Sequence, residues 1–210
     1  MRLILPLFLG FFTASFGISL PGLINMTAAK VSMRDGRDRA LLFVFGAVII
    51  IFFQTFSAIL FAQFIDSRPD IIMLLREVGL AIFTALTFYF LFFAKKPNAA
   101  KEEMKMHSKS NRFFLGMLLS TLNFFPVPYY VFVTITLASY KLFSFEKWNI
   151  LFFLSGVVVG SLAIFYYYIS FFNKIEAKTD FFFKNINSII GAITGAVALM
   201  ALFNVLEYYN

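Results

Sequence analysis

Six stretches of this 210-residue chain run free of charge for long enough to cross a bilayer: 3–29, 40–65, 78–94, 113–140, 148–173 and 185–206. A spanning helix needs roughly 17–25 mainly apolar residues. The third stretch is expected to begin earlier, near Ile71, with Arg76 and Glu77 in its first turns. Strands of a membrane barrel alternate polar and apolar residues over roughly 10 positions. These runs are apolar throughout, and inside lipid a single segment satisfies its own backbone only as a helix. The charged fraction of 14% lies well below the roughly 25% of soluble domains. The expected fold is therefore an all-α integral membrane protein of six transmembrane helices, residues 1–210 forming one membrane domain.

The basic residues orient these helices. The connections after the first, third and fifth spans carry Lys30, Arg34, Arg37, Arg39, then Lys95, Lys96, Lys101, Lys105, Lys109, Arg112, then Lys174, Lys178 and Lys184. The opposite face keeps Arg2, Arg68, Arg76, Lys141 and Lys147. Acidic residues divide almost evenly, so the net charge of +7 belongs to one face. The positive-inside rule makes that face cytoplasmic and places both termini outside a cytoplasmic (inner) membrane of bacterial type. Such a basic face contacts anionic membrane lipid. Short loops around spans give no platform for nucleic acid, so that partner is not expected.

Arg2 followed by an apolar run resembles a signal peptide. Cleavage near Gly17 or Gly22 would leave the next basic loop outside, against the charge rule, so an uncleaved first span is expected. With no cysteine, the chain has no disulfide and no thiolate chemistry. No cofactor, metal site or catalytic residue is expected, since membrane enzymes want paired His, Asp or Glu at the interface and His107 stands alone in a polar loop.

That loop, 96–112, divides the chain into half one, 1–95, and half two, 113–210, each with three spans. Three is odd, so the second half enters from the opposite side, and halves of common fold would be inverted repeats. No fixed-period repeat is visible. What the halves share is a proline-broken first helix: Ser19-Leu20-Pro21-Gly22-Leu23-Ile24-Asn25 in one, Leu122-Asn123-Phe124-Phe125-Pro126-Val127-Pro128 in the other. Proline removes a backbone donor and clashes with the carbonyl four residues back. Breaks at corresponding places in two halves point to a transport site. The candidate substrate-binding residues are Pro21, Gly22, Asn25, Gln54, Asn123, Pro126 and Pro128. Each asparagine can close the broken ladder or face a ligand, because an amide both donates and accepts.

Other polar groups within spans are Thr84, Thr87, Thr134 and Thr136, suited to lining a cavity or bonding neighbouring helices. No Asp, Glu or His lies deep in any run, which counts against an intramembrane carboxylate relay. Gly156 with Gly160, and Gly191 with Gly195, are small-residue steps for close helix packing; a homodimer face is the alternative use. Trp148, Tyr140, Tyr208, Tyr209 and the Tyr166-Tyr167-Tyr168 run fit interfacial aromatic belts. The 32 phenylalanines read as lipid-facing bulk.

Pro21-Gly22, Gly36-Arg37 in the following basic loop, and 40–46 opening the second helix together resemble the lysine-exporter (LysE-type) family of amino-acid exporters. The stretch 74–79, Phe114-Leu115-Gly116 through Asn123 and Pro126, and 187–195 are similar to that family's third, fourth and last helices. Leu23 stands where the family has a second proline. Phe124 and Phe125 split its Asn-Pro pair, and Gln54 lies near where many members carry an acidic residue. The resemblance implies a secondary transporter that exports amino acids or similar small metabolites by alternating access. A non-transporting membrane scaffold that retains the exporter fold is the alternative. Related thiol-redox carriers require cysteines that this chain lacks.

Overall fold

The computed structural model describes residues 4–19, 22–93 and 109–209. Every element among them is helical: α1 (Ile4–Ser19), α2 (Leu23–Asp35), α3 (Arg37–Asp66), α4 (Pro69–Phe88), α5 (Lys109–Leu122), α6 (Pro126–Ser139) and α7 (Lys147–Tyr209). A π-helical segment, Tyr89–Phe93, continues α4. Within α7, Phe171 leaves helical geometry at φ −120°, ψ 17°. The stretch α3 and the part of α7 from Lys147 to Phe171 are each long and apolar enough to cross a membrane. The pairs α1/α2 and α5/α6 qualify only when each is counted as one bent span, with bends of 78° and 62°. Four of the six expected runs thus find span-like counterparts. The third falls on α4 and its π-helical end, where only Leu80–Phe93 is a short apolar helix. The sixth falls on α7 beyond the kink.

The chain divides into two compact units, Met1–Phe64 with Met104–Ile175, and Ile65–Glu103 with Glu176–Asn210. In the first, α1/α2 and α5/α6 are built around α3 and the first part of α7. Glycines set the crossings. A Cβ on Gly10 of α1 would collide with the Phe153 carbonyl of α7, and one on Gly156 of α7 with the Leu7 carbonyl of α1. The other broken helix repeats the arrangement. Gly116 of α5 lies against the Phe43 carbonyl of α3, and Gly46 of α3 against the Phe113 carbonyl of α5. Backbones approach this closely only where no side chain intervenes, which is how small residues drive helix packing in lipid.

The two crossings correspond residue for residue. Phe43, Gly46 and Ala47 play the parts of Phe153, Gly156 and Val157, while Leu7, Gly10 and Phe11 play those of Phe113, Gly116 and Met117. Phe43 and Phe153 are both fully buried. Gly156 and Gly160 therefore meet α1 of the same chain, Gly160 facing Phe11 and Ala14. Around this core the exposed surface is aromatic: Phe8, Phe12 and Phe16 form a stripe four residues apart on α1, and Phe45, Phe53 and Phe64 stand out from α3. The phenylalanines thus account for much of the exposed apolar surface of this unit.

Gly36 joins α2 to α3 at φ +91°, in open space, a conformation that glycine adopts without strain. The described part of α5 begins at Lys109, so the last residues of the expected 96–112 loop, Arg112 among them, are helical. In the second unit, Gly191 and Gly195 of α7 pack on Leu91 and Thr87. A cavity of about 330 Å³ there is lined by Leu80, Thr84, Thr87, Phe88, Gly195, Ala198, Leu199 and Leu202.

Candidate functional site

Breaking a helix leaves carbonyls at the end of one piece and N–H groups at the start of the next without intrahelical partners. Buried in lipid or protein, such groups cost free energy unless something bonds them. Both breaks of the first unit are closed by side chains.

At the first break, α1 ends at Ser19 and α2 begins at Leu23, with Gly22 as an extended N-cap that offers no side-chain bond. Asn25, 5% exposed, donates through Nδ2 to the Ile18 carbonyl at 2.5 Å. The Tyr168 hydroxyl, from α7, donates to the Ser19 carbonyl at 2.8 Å and lies within hydrogen-bonding reach of the Asn25 side chain. The last two carbonyls of α1 are thus held by an amide from its own continuation and a phenol from a neighbouring helix. Pro21 lies outside the described residues.

At the second break, Pro126 is the first residue of α6 and is buried, while Pro128 is exposed. Neither has an N–H, and the two remaining donors of that turn are engaged: Val127 N–H bonds the Phe124 carbonyl at 3.2 Å and Tyr129 N–H the Phe125 carbonyl at 3.3 Å. The carbonyl side is closed from another helix. Gln54 of α3 donates through Nε2 to the carbonyls of Ser120 and Asn123, each at 3.1 Å. Its Oε1 is buried without a hydrogen-bond partner, as is the Ser120 hydroxyl. Asn123 itself is exposed, and its own N–H bonds back to Leu119 and Ser120.

Tyr129 ties the two breaks together. Its hydroxyl donates to the Thr13 carbonyl of α1 at 2.8 Å, and a Cβ added at Gly17 would lie 3.0 Å from its ring. The ring stacks on Phe125 at the second break, centroids 5.7 Å apart. Next to it, buried Tyr130 faces Thr55 of α3 and packs edge-on against Phe153 of α7.

Of the residues expected from sequence, Asn25 and Gln54 emerge as the closures of the two breaks. Gly22 and Pro126 mark the starts of the second pieces, and Asn123 and Pro128 are exposed beside the second break. Sequence reading missed Tyr129, Tyr130, Thr55 and Ser120. Tyr168 was assigned to an aromatic belt, yet it is 3% exposed and turned to α1, whereas Tyr166 and Tyr167 are about half exposed. A tyrosine three or four residues from both an apolar and a polar neighbour carries no mark of which face it occupies; only Tyr129, one turn past a proline break, had a positional signal. Thr84 and Thr87 line the second unit's cavity, with the Thr87 hydroxyl donating to its own backbone at Phe83. The Thr134 hydroxyl also bonds its own helix, at Tyr130.

Spanning helices interrupted at two equivalent points, crossing their neighbours through glycine and closed by neutral polar side chains, define a polytopic membrane protein built like a translocator. The family model for LysE type translocators matches residues 15–204, and the chain belongs to that family. Among curated proteins and among solved structures, none matches this chain significantly. Family membership brings membrane transport of amino acids or similar molecules and a non-enzymatic role.

Proposed function

We propose that this protein is a secondary exporter of amino acids or similar small metabolites, with alternating access created by two inverted three-helix halves. The observation that carries the reading is the matched pair of broken helices, α1/α2 and α5/α6, each crossing a helix of the other half at a reciprocal glycine contact. Such halves rock against each other around a site at their breaks. The uncapped start of α2 at Gly22 suits a carboxylate, since N–H groups and the helix dipole attract anions. The second break, where prolines remove the donors and carbonyls gather around Gln54, suits an ammonium group. Asn123, exposed beside the second break, is assigned to contact the cargo.

The expected orientation has both termini outside the bacterial inner membrane. The contact between Asp35 at the end of α2 and Arg112 of α5 supports only the part of it that puts the connections after the first and third spans on one face.

Efflux of preloaded labelled amino acids from proteoliposomes tests the proposal. The protein should release at least one substrate class faster than empty vesicles, and Asn123→Ala should slow that release. No flux across a broad metabolite panel would sink the exporter reading. It would favour a non-transporting scaffold with the same fold, a reading favoured by the fact that Asn25 and Gln54 both bond the chain's own backbone.

A further inference from the structure

Asp35 and Arg112 form an ion pair, Nη2 to Oδ2 at 2.5 Å, with side chains only 11% and 7% exposed. We propose that this pair is a latch: it shuts one end of the path between the two broken helices and parts when that end opens. The proposal rests on the exporter reading for its role in the cycle, but not for its geometry.

Three observations lead to it. First, Asp35 opposes the dipole of its own helix. It is the last residue of α2, where the negative helix end disfavours an anion. Asp35 is not placed to stabilise the helix that carries it, and a cation that compensates it is Arg112 of α5, across the gap. Second, these are the helices whose far ends form the two breaks. The α2 helix runs from the Asn25 closure to Asp35, and α5 runs from Arg112 to the carbonyls that Gln54 holds. A contact at one end of two rigid half-helices sets the separation at the other. Third, the pair covers an apolar seal. Val31 lies one turn before Asp35 on the same face of α2, and Leu115 lies one turn after Arg112 on α5; both are buried. Immediately beyond Asp35, Gly36 at φ +91° has open space around it, a joint on which α2 can swing relative to α3.

A buried pair of this kind resists loss of one partner far more than it rewards the presence of both. A static tie and a latch therefore differ in what lies behind them, and the absence of cysteine gives a clean background for reading it. A single reporter, Val31→Cys, is placed in the purified full-length protein in proteoliposomes and exposed to a membrane-impermeant maleimide on the Asp35 face. The reporter should label slowly in the otherwise unaltered chain. Asp35→Asn and Arg112→Gln should each speed labelling by about ten-fold or more, because the uncompensated charge leaves the seam. Arg112→Lys, and the swap of Asp35→Arg with Arg112→Asp, should bring the rate back near the starting value. Unchanged labelling in Asp35→Asn, or a swap that labels as fast as the single variants, overturns the latch.

A second arm reads the cycle. Joining Asp35→Cys to Arg112→Cys with a short bifunctional maleimide should abolish efflux, while the uncrosslinked double variant still transports. Full efflux from the crosslinked protein also overturns the proposal. If the unaltered protein moves no substrate, the exporter reading fails while the labelling arm still decides the latch.

Discussion

The first break spends its own amide and the second borrows one. In α1/α2, the closing side chain is Asn25, seven residues along the same chain from the Ile18 carbonyl it holds. In α5/α6, the closing side chain is Gln54, from α3, 66 residues away from Ser120. The starts of the second pieces differ as well. Gly22 gives the start of α2 no side-chain cap, whereas Pro126 and Pro128 strip α6 of donors and the remaining two bond locally. The two breaks therefore differ in where the closing amide comes from. What they have in common is the glycine crossing that sits a few turns before each.

The hardest blow to that comparison is at the crossings. Gly10→Leu and Gly116→Leu should be equally damaging, since each side chain would meet a carbonyl of α7 or α3. Overpacking a core costs about 1–3 kcal/mol and more where backbone must move, so both variants are expected at or above the top of that range. Recovery of monodisperse protein in detergent measures it. A tolerated Gly116→Leu beside a lethal Gly10→Leu would break the equivalence of the two crossings.

Next comes the amide difference. Gln54→Leu removes two hydrogen bonds and should destabilise by about 1–3 kcal/mol, while Asn25→Leu removes the one to Ile18 and should cost about 1–1.5 kcal/mol, at roughly 0.5–1.5 per hydrogen bond. Thermal unfolding of the purified variants gives the order. The reverse order would mean that the second break does not depend on α3. Smaller still, Tyr168→Phe and Tyr129→Phe keep their rings and lose one hydrogen bond each, about 1 kcal/mol apiece by the same measurement. Smallest for stability is Asn123→Ala, expected within about 0.5 kcal/mol because the side chain is exposed. Its effect belongs to efflux, and a stability loss comparable to Gln54→Leu would remove Asn123 from the cargo-facing set.

Much of this was legible in the residues. Charge-free runs of membrane length announce helices because lipid leaves the backbone no other partner, and α3 and the first part of α7 agree with the runs at 40–65 and 148–173. Proline positions announce breaks because a missing N–H is local chemistry, and α1 ends at Ser19 before α2 begins at Leu23, while α6 begins at Pro126. Gln54 and Asn25 were visible as polar groups in apolar surroundings, though not what they bond. The aromatic residues were misread where direction mattered. Tyr166, Tyr167 and Tyr168 look alike in a row, and successive residues of a helix point about 100° apart, so only packing tells which one turns inward. The repeat escaped notice for a related reason. Matching crossings require only a glycine opposite a carbonyl, and carbonyls have no residue identity, so Leu7 and Phe113 serve equally well.

The sequence by itself therefore determined the solvent this chain folds in and the places where its helices break. Each of these follows from composition or a missing donor along the chain. Tertiary structure decided which broken helix crosses which neighbour, that Asn25 closes its own break while Gln54 closes another's, and that Asp35 meets Arg112. Those outcomes depend on distances between residues remote in sequence, and a hydrogen bond or ion pair exists only once two such groups have been brought within about 3 Å of each other.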